Sequence, residues 1–192
     1  MKTIAPDFRG QVMAVEHVER LLRRVTEALR AAEIDYAVIG GNAVAAWVAT
    51  VDDGAVRATK DVDLLVRRDD LQRISDALAP VALIPIEVLG VSMFVDREKP
   101  NPKTGVHILF ANEKVRPSDR HPVADVTQSV DSPAGYRVLE LRELIAMKLQ
   151  AYRLIDRVHL LDLRRLGLVE STICNSLPPD LRERWDALEG ET

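Results

Sequence analysis

Apolar residues recur at helical spacing over residues 13–32, where Val15, Val18, Leu22, Val25 and Leu29 fall on one stripe. This predicts an amphipathic helix. The period then changes. Residues 35–39 form a short apolar run that reads as a strand, and an Ala-rich helix follows over 41–50. A turn at 51–54 precedes a second strand over 61–66. A helix is expected from Arg68 to about Leu78. Two apolar runs, 81–88 and 91–95, are split by Leu89-Gly90 and suit neighbouring strands. A further strand is expected over 106–111. Residues 112–135 carry Pro117, Pro122 and Pro133 and read as irregular, before a short strand at 136–139. Helices are expected at about 140–154, 158–167 and 178–188. The pattern is that of an α/β core over 1–111 and a helical part over 136–192, within one domain.

One strand carries charge where a core strand should not. In Lys60-Asp-Val-Asp-Leu-Leu-Val66, alternation puts Asp61 and Asp63 on one face and Val62 and Leu64 on the other. Two carboxylates held that close repel unless a cation lies between them, and oxygen ligands at this spacing suit Mg²⁺ or Mn²⁺.

A second unusual segment lies upstream. The run Ile34-Asp-Tyr-Ala-Val-Ile-Gly-Gly-Asn42 passes from a strand through Gly40-Gly41 into a helix. Paired glycines at such a turn let the backbone approach a ligand, and the helix N-terminus offers unpaired N–H groups to an anion. Asn42 is a suitable capping residue and a candidate donor to a phosphate oxygen.

A Gly-Gly strand–helix turn followed by Asp-h-Asp-h on the next strand resembles the nucleotidyltransferase superfamily, with its polymerase β-like fold. Nineteen residues separate Gly41 from Asp61. That spacing is closest to the AbiEii/AbiGii toxin-like branch, whose Arg-x-Thr-x-Asp-h-Asp segment is matched by Arg57-Ala-Thr-Lys-Asp-Val-Asp63. The resemblance covers roughly residues 34–166. It implies a small mixed β-sheet with flanking helices, followed by C-terminal helices. It implies a metal–nucleoside triphosphate substrate, with Gly40, Gly41 and Asn42 cradling the phosphates and Asp61 and Asp63 holding one or two divalent ions. The acceptor would be a hydroxyl on RNA (tRNA foremost), a nucleotide, a protein or a small molecule. A cognate partner in a toxin–antitoxin or phage-defence pair is also implied. The alternative is a fold that has lost transfer and serves as a binding module.

The superfamily places a third carboxylate on a later strand. Here Gly105-Val-His-Ile-Leu-Phe-Ala111 has His107 at that position. An imidazole still ligates Mn²⁺ or takes a proton, but it lacks the charge and hard oxygen that Mg²⁺ prefers. Farther on, Lys148 interrupts the apolar stripe of Leu141, Leu144, Ile145 and Tyr152, and Asp162 interrupts the next helix. A buried Lys148–Asp162 ion pair is the plain structural explanation. The toxin-branch pattern is matched at Lys148, Ala151 and Asp162, with Arg153 near its arginine and His159 where its first Asp would stand. The resemblance then makes Lys148 a triphosphate ligand, with Asp162 orienting it or assisting the hydroxyl. Arg57 and Lys60 flank the carboxylates and are candidates for phosphate contact, Lys60 the weaker of the two. Trp47 and Trp185 read as core.

Composition narrows the class. The chain has 192 residues, 47% of them hydrophobic, enough for one domain with a substantial core. A net charge of −4 gives no global attraction to nucleic acid. With Cys174 as its only cysteine, the chain has neither a disulfide framework nor a cysteine zinc cluster. The first residues have no signal-peptide pattern and no stretch is apolar enough to span a bilayer, so the expected location is cytoplasmic.

Overall fold

The computed structural model describes residues 8–188. Helix α1 (Phe8–Ala31) leads into β1 (Tyr36–Val38), α2 (Gly40–Ala49), β2 (Val62–Val66) and α3 (Leu71–Leu78). The hairpin β3 (Leu83–Val88) and β4 (Val91–Asp96) follows, then β5 (Val106–Phe110). A second hairpin, β6 (Ser129–Asp131) and β7 (Arg137–Leu139), precedes α4 (Leu141–Ala151), α5 (Leu154–Arg165), α6 (Ser171–Ser176) and α7 (Pro179–Ala187). The seven strands form one mixed sheet in the order β3-β4-β5-β2-β1-β7-β6. The α/β class and the mixed sheet expected from the sequence are both present.

The middle of the sheet is dry. Val62, Leu64, Leu65 and Val66 are each fully buried, which requires cover on both faces of β2. Helix α1 lies against β2 and α3, while α2 lies against β2 and β7 and meets α4 and α5. On α1, Val18, Leu22, Val25 and Leu29 are buried as their spacing demands, and Leu21 joins them. Trp47 donates its indole N–H to the Leu139 carbonyl at 3.0 Å, and Trp185 is buried in the core. Among the described residues, no helix is long and apolar enough to cross a membrane.

Three local expectations are corrected. Residues 112–135 are not wholly irregular: Ser129–Asp131 pairs with β7 around a turn at 132–135. The helix expected over 140–154 stops at Ala151, because Tyr152 takes a left-handed conformation with φ 47°. The helix expected to start at 158 starts at Leu154, and α6 was not anticipated at all.

Two pairings position the site. Strands β2 and β5 run parallel in a register that sets His107 beside Asp63. Strand β1 ends one residue before Ile39, whose N–H donates to the Asp63 carbonyl at 3.0 Å and brings the start of α2 over the start of β2.

Candidate functional site

A cleft of about 590 Å³ opens between the starts of strands β2 and β5 at Asp61, Asp63 and His107, the Gly40-Gly41 turn, and α4 with α5. That size suits a small-molecule ligand. The turn is unusually tight. Gly40 has φ +66°, and a Cβ there would sit 2.0 Å from Asp63 Oδ2. A Cβ on Gly41 would sit 2.6 Å from Thr59 Cγ2. The α2 N-terminus is capped by Ile39, whose side chain accepts nothing, so its first N–H groups are left for a ligand or water.

Asn42 behaves differently from its expected role. Its side chain is buried and donates to the Asp61 carbonyl at 2.7 Å, while its Oδ1 lies 3.1 Å from the Thr59 hydroxyl. It neither caps α2 nor lines the cleft. The Asn42 side chain pins the 59–61 segment and so fixes Asp61; only its backbone N–H is left to face an anion.

The carboxylates and the imidazole form a compact donor set. Ligand atoms from Asp61, Asp63 and His107 all lie within 4.8 Å of one another. His107 Nδ1 is 3.3 Å from Asp63 Oδ1 and 3.7 Å from Asp61 Oδ2. Its other nitrogen, Nε2, is 3.1 Å from the Pro102 carbonyl, which only accepts. Nε2 therefore carries a proton. In the neutral ring, the Nδ1 lone pair would then face two carboxylates. Only a second proton or a cation relieves that arrangement. The hydrogen bond to Asp63 accordingly raises the His107 pKa against the opposing effect of burial. Burial first, and then the Asp63 charge, push the Asp61 carboxyl up. The donor set thus fits a divalent cation, and its nitrogen suits Mn²⁺ better than Mg²⁺.

A second cluster lines the wall made by α4 and α5. Lys148 is 5% exposed, and its Nζ lies 3.0 Å from His159 Nδ1 and 3.5 Å from Asp156 Oδ1. Arg153 binds Asp156 through Nε at 2.7 Å and Nη2 at 3.2 Å. Burial pushes the Lys148 ammonium down, with Asp156 opposing. Burial also pushes the Asp156 carboxyl up, but Arg153 and Lys148 together outweigh it and leave Asp156 below the ordinary range. Burial and the Lys148 charge push His159 down to about 4.

The expected Lys148–Asp162 pair does not form. Asp162 instead accepts from Arg57, at 2.5 Å from Nε and 3.1 Å from Nη2. Neither Arg57 nor Asp162 lines the cleft. Because the chain breaks at Tyr152, α5 turns Asp156 rather than Asp162 toward Lys148. The roles expected for Arg57 at phosphate and for Asp162 at Lys148 have no geometric support here; the pair fastens the loop before β2 to α5. Asp156, and the 112–123 loop that brings Val115, Arg116 and Asp119 to the cleft, were missed from sequence. Asp156 had one signal, its i,i+3 spacing from Arg153.

The depressed His159 pKa has a stability consequence. Unfolded, the ring binds a proton below about pH 6.5, whereas folded it stays neutral down to about 4. The unfolded state holds more protons in that window, so stability falls as pH drops through it. In thermal melts from pH 7 to 4.5, His159→Gln is expected to show a shallower decline than the wild type. Parallel curves would mean that His159 titrates normally.

No protein-family model and no curated protein matches the chain. Solved structures do. A nucleotidyltransferase-like antigenic protein from Paracoccidioides brasiliensis superposes with TM-score 0.60 at 12% identity, covering 92% of this chain and 88% of that one. The structure of ANT(2'')-Ia in complex with adenylyl-2''-tobramycin superposes with TM-score 0.52 at 13% identity, covering 90% and 97%. The chain therefore has the nucleotidyltransferase-like, polymerase β-like fold.

Proposed function

We propose that this protein binds a metal–nucleoside triphosphate in the cleft and transfers its nucleotidyl group to a hydroxyl acceptor. The observation that carries the reading is the Asp61–Asp63–His107 donor set directly beneath the Gly40-Gly41 turn. An anion-binding helix N-terminus and a cation-binding cluster share one cleft, the pairing a metal-bound polyphosphate requires.

Each part has a task. Asp61, Asp63 and His107 would hold Mg²⁺ or Mn²⁺, which when bound offsets charge on the attacking and leaving oxygens. The backbone of Gly40 and Gly41 binds phosphate oxygens, and Asn42 with Thr59 keeps Asp61 in place. Lys148, held by Asp156 and His159, presents an ammonium to the outer phosphates. In the transfer, an acceptor oxygen forms a bond to the α-phosphorus and the bond to the β-phosphate bridging oxygen breaks. Pyrophosphate leaves and the hydroxyl proton is released. Much of the rate would come from alignment within the cleft. RNA, a nucleotide, a protein and a small molecule all remain acceptor classes. The toxin–antitoxin or phage-defence setting, with its partner protein, rests on the sequence resemblance.

The direct test is incubation of the protein with Mn²⁺, each α-labelled nucleoside triphosphate and candidate acceptors, beginning with tRNA. Label transfer with pyrophosphate release, lost in Asp61→Asn, is expected. Tight metal-dependent binding with no transfer to any acceptor would favour the binding-module reading, which His107 in the third carboxylate position supports. Lys148→Ala is expected to weaken triphosphate binding about tenfold or more while leaving monophosphate binding within about threefold. Calorimetry checks this, and equal losses would make Lys148 a packing residue.

A further inference from the structure

His159 is 9% exposed, yet its ring forms part of the cleft wall. One ring nitrogen is occupied: Nδ1 faces Lys148 Nζ at 3.0 Å. Asp156, itself buried and 3.5 Å from Nζ, keeps an anion beside that amine. An ammonium has only protons to offer, so Nδ1 must accept and carries none of its own. An imidazolium would oppose a donor to a donor. The ring is therefore neutral with its proton on Nε2, and burial, which lowers the His159 pKa, favours the same state.

Nε2 has no partner among the described residues. Asp162, the nearby acid on the same helix, is already engaged by Nε and Nη2 of Arg57. The ring edge faces the start of α2, with Cε1 3.9 Å from where a Gly41 Cβ would be. Nε2 is not among the sealed, unpaired polar atoms of the described residues, so its N–H is open to an acceptor in the cleft whose wall the ring forms.

We infer that His159 is a phosphate-binding residue whose Nε2–H donates to a phosphate oxygen at the N-terminus of α2. Lys148 thus has two tasks: it presents charge to the polyphosphate, and it fixes the tautomer of His159. A neutral donor adds a directed hydrogen bond without a further positive charge next to Lys148 and Arg153. The inference rests on the nucleotide reading of the cleft.

The test uses the full chain with isotope-labelled histidine, and inorganic tripolyphosphate with Mg²⁺ as probe. His159→Gln identifies the His159 signals by their loss. At neutral pH the Nε2–H tautomer is expected, and the probe should move Nε2 while Nδ1 stays unprotonated. By calorimetry, His159→Leu should bind the probe about tenfold more weakly or worse. His159→Gln, which keeps an acceptor and a donor, should stay within about threefold. An Nδ1–H tautomer or an imidazolium overturns the inference. So does unchanged affinity in His159→Leu, which leaves the nucleotide reading standing. If folded wild-type protein binds no tripolyphosphate, both fall together.

Discussion

Asp63→Asn is expected to reduce metal-dependent nucleotide binding by at least about 100-fold while leaving the metal-free protein as stable as before, within a few degrees in Tm. The two halves of this expectation have one cause. Asp63 sits between His107 and the Gly40 turn, and its charge helps push the Asp61 carboxyl up. Without a cation, removing that charge relieves repulsion at Asp61 and costs only the His107 contact. With a cation, it removes the central ligand of three. Calorimetric titration of Mn²⁺ with nucleotide, beside thermal melts, checks both halves. Binding retained in Asp63→Asn would remove Asp63 from the metal site.

Gly40→Ala is expected to do what Asp63→Asn does not and damage the fold as well. At φ +66° an alanine carries about 1–2 kcal/mol of backbone strain. Its Cβ would also stand 2.0 Å from Asp63 Oδ2, so the carboxylate must leave its place beside His107. Both stability in denaturant and Mn²⁺ affinity should fall. Gly41→Ala should be milder, since its Cβ meets the Thr59 methyl at 2.6 Å and no left-handed backbone is involved. The reverse order would mean that the turn relaxes freely and does not hold Asp63.

These two positions were legible in the sequence because their signals are local. Alternation along β2 placed both carboxylates on one side, and paired glycines marked a close approach. His107 was legible only through the family resemblance, which expects a carboxylate at that strand position, and the register beside Asp63 then made the donor set. What could not be read depends on how distant segments meet. Arg57 and Asp162 are 105 residues apart, and nothing in either neighbourhood announces the partner. Asp162 stood out over Asp156 because it interrupts the apolar positions of a helix expected to start at 158, whereas Asp156 lies before that start; α5 in fact begins at Leu154. The first turn of α5 was hidden for a related reason. Leu154 and Ile155 are 71% and 49% exposed, so its apolar residues face outward and break the amphipathic pattern. Its start is marked by a capping box between Arg153 and Asp156, not by the usual Ser or Thr. The three-residue strand β6 was too short to show a period among its prolines.

Exposed apolar residues at the cleft bear on what it accepts. Val115 and Ile155 line it, and both are about half exposed. With the charged groups they give the cleft both apolar and charged lining, which would suit a ligand with a polyanionic end and a flatter apolar end. A nucleotide has that shape.

The measurement that bears most directly on the central claim is calorimetric binding of each of the four nucleoside triphosphates to the wild type, without metal, with Mg²⁺ and with Mn²⁺. Binding of at least one nucleotide that requires the metal, and is stronger with Mn²⁺ than with Mg²⁺, is the predicted result. Folded protein that binds none of the four under any condition, or binds them equally well without metal, would contradict it.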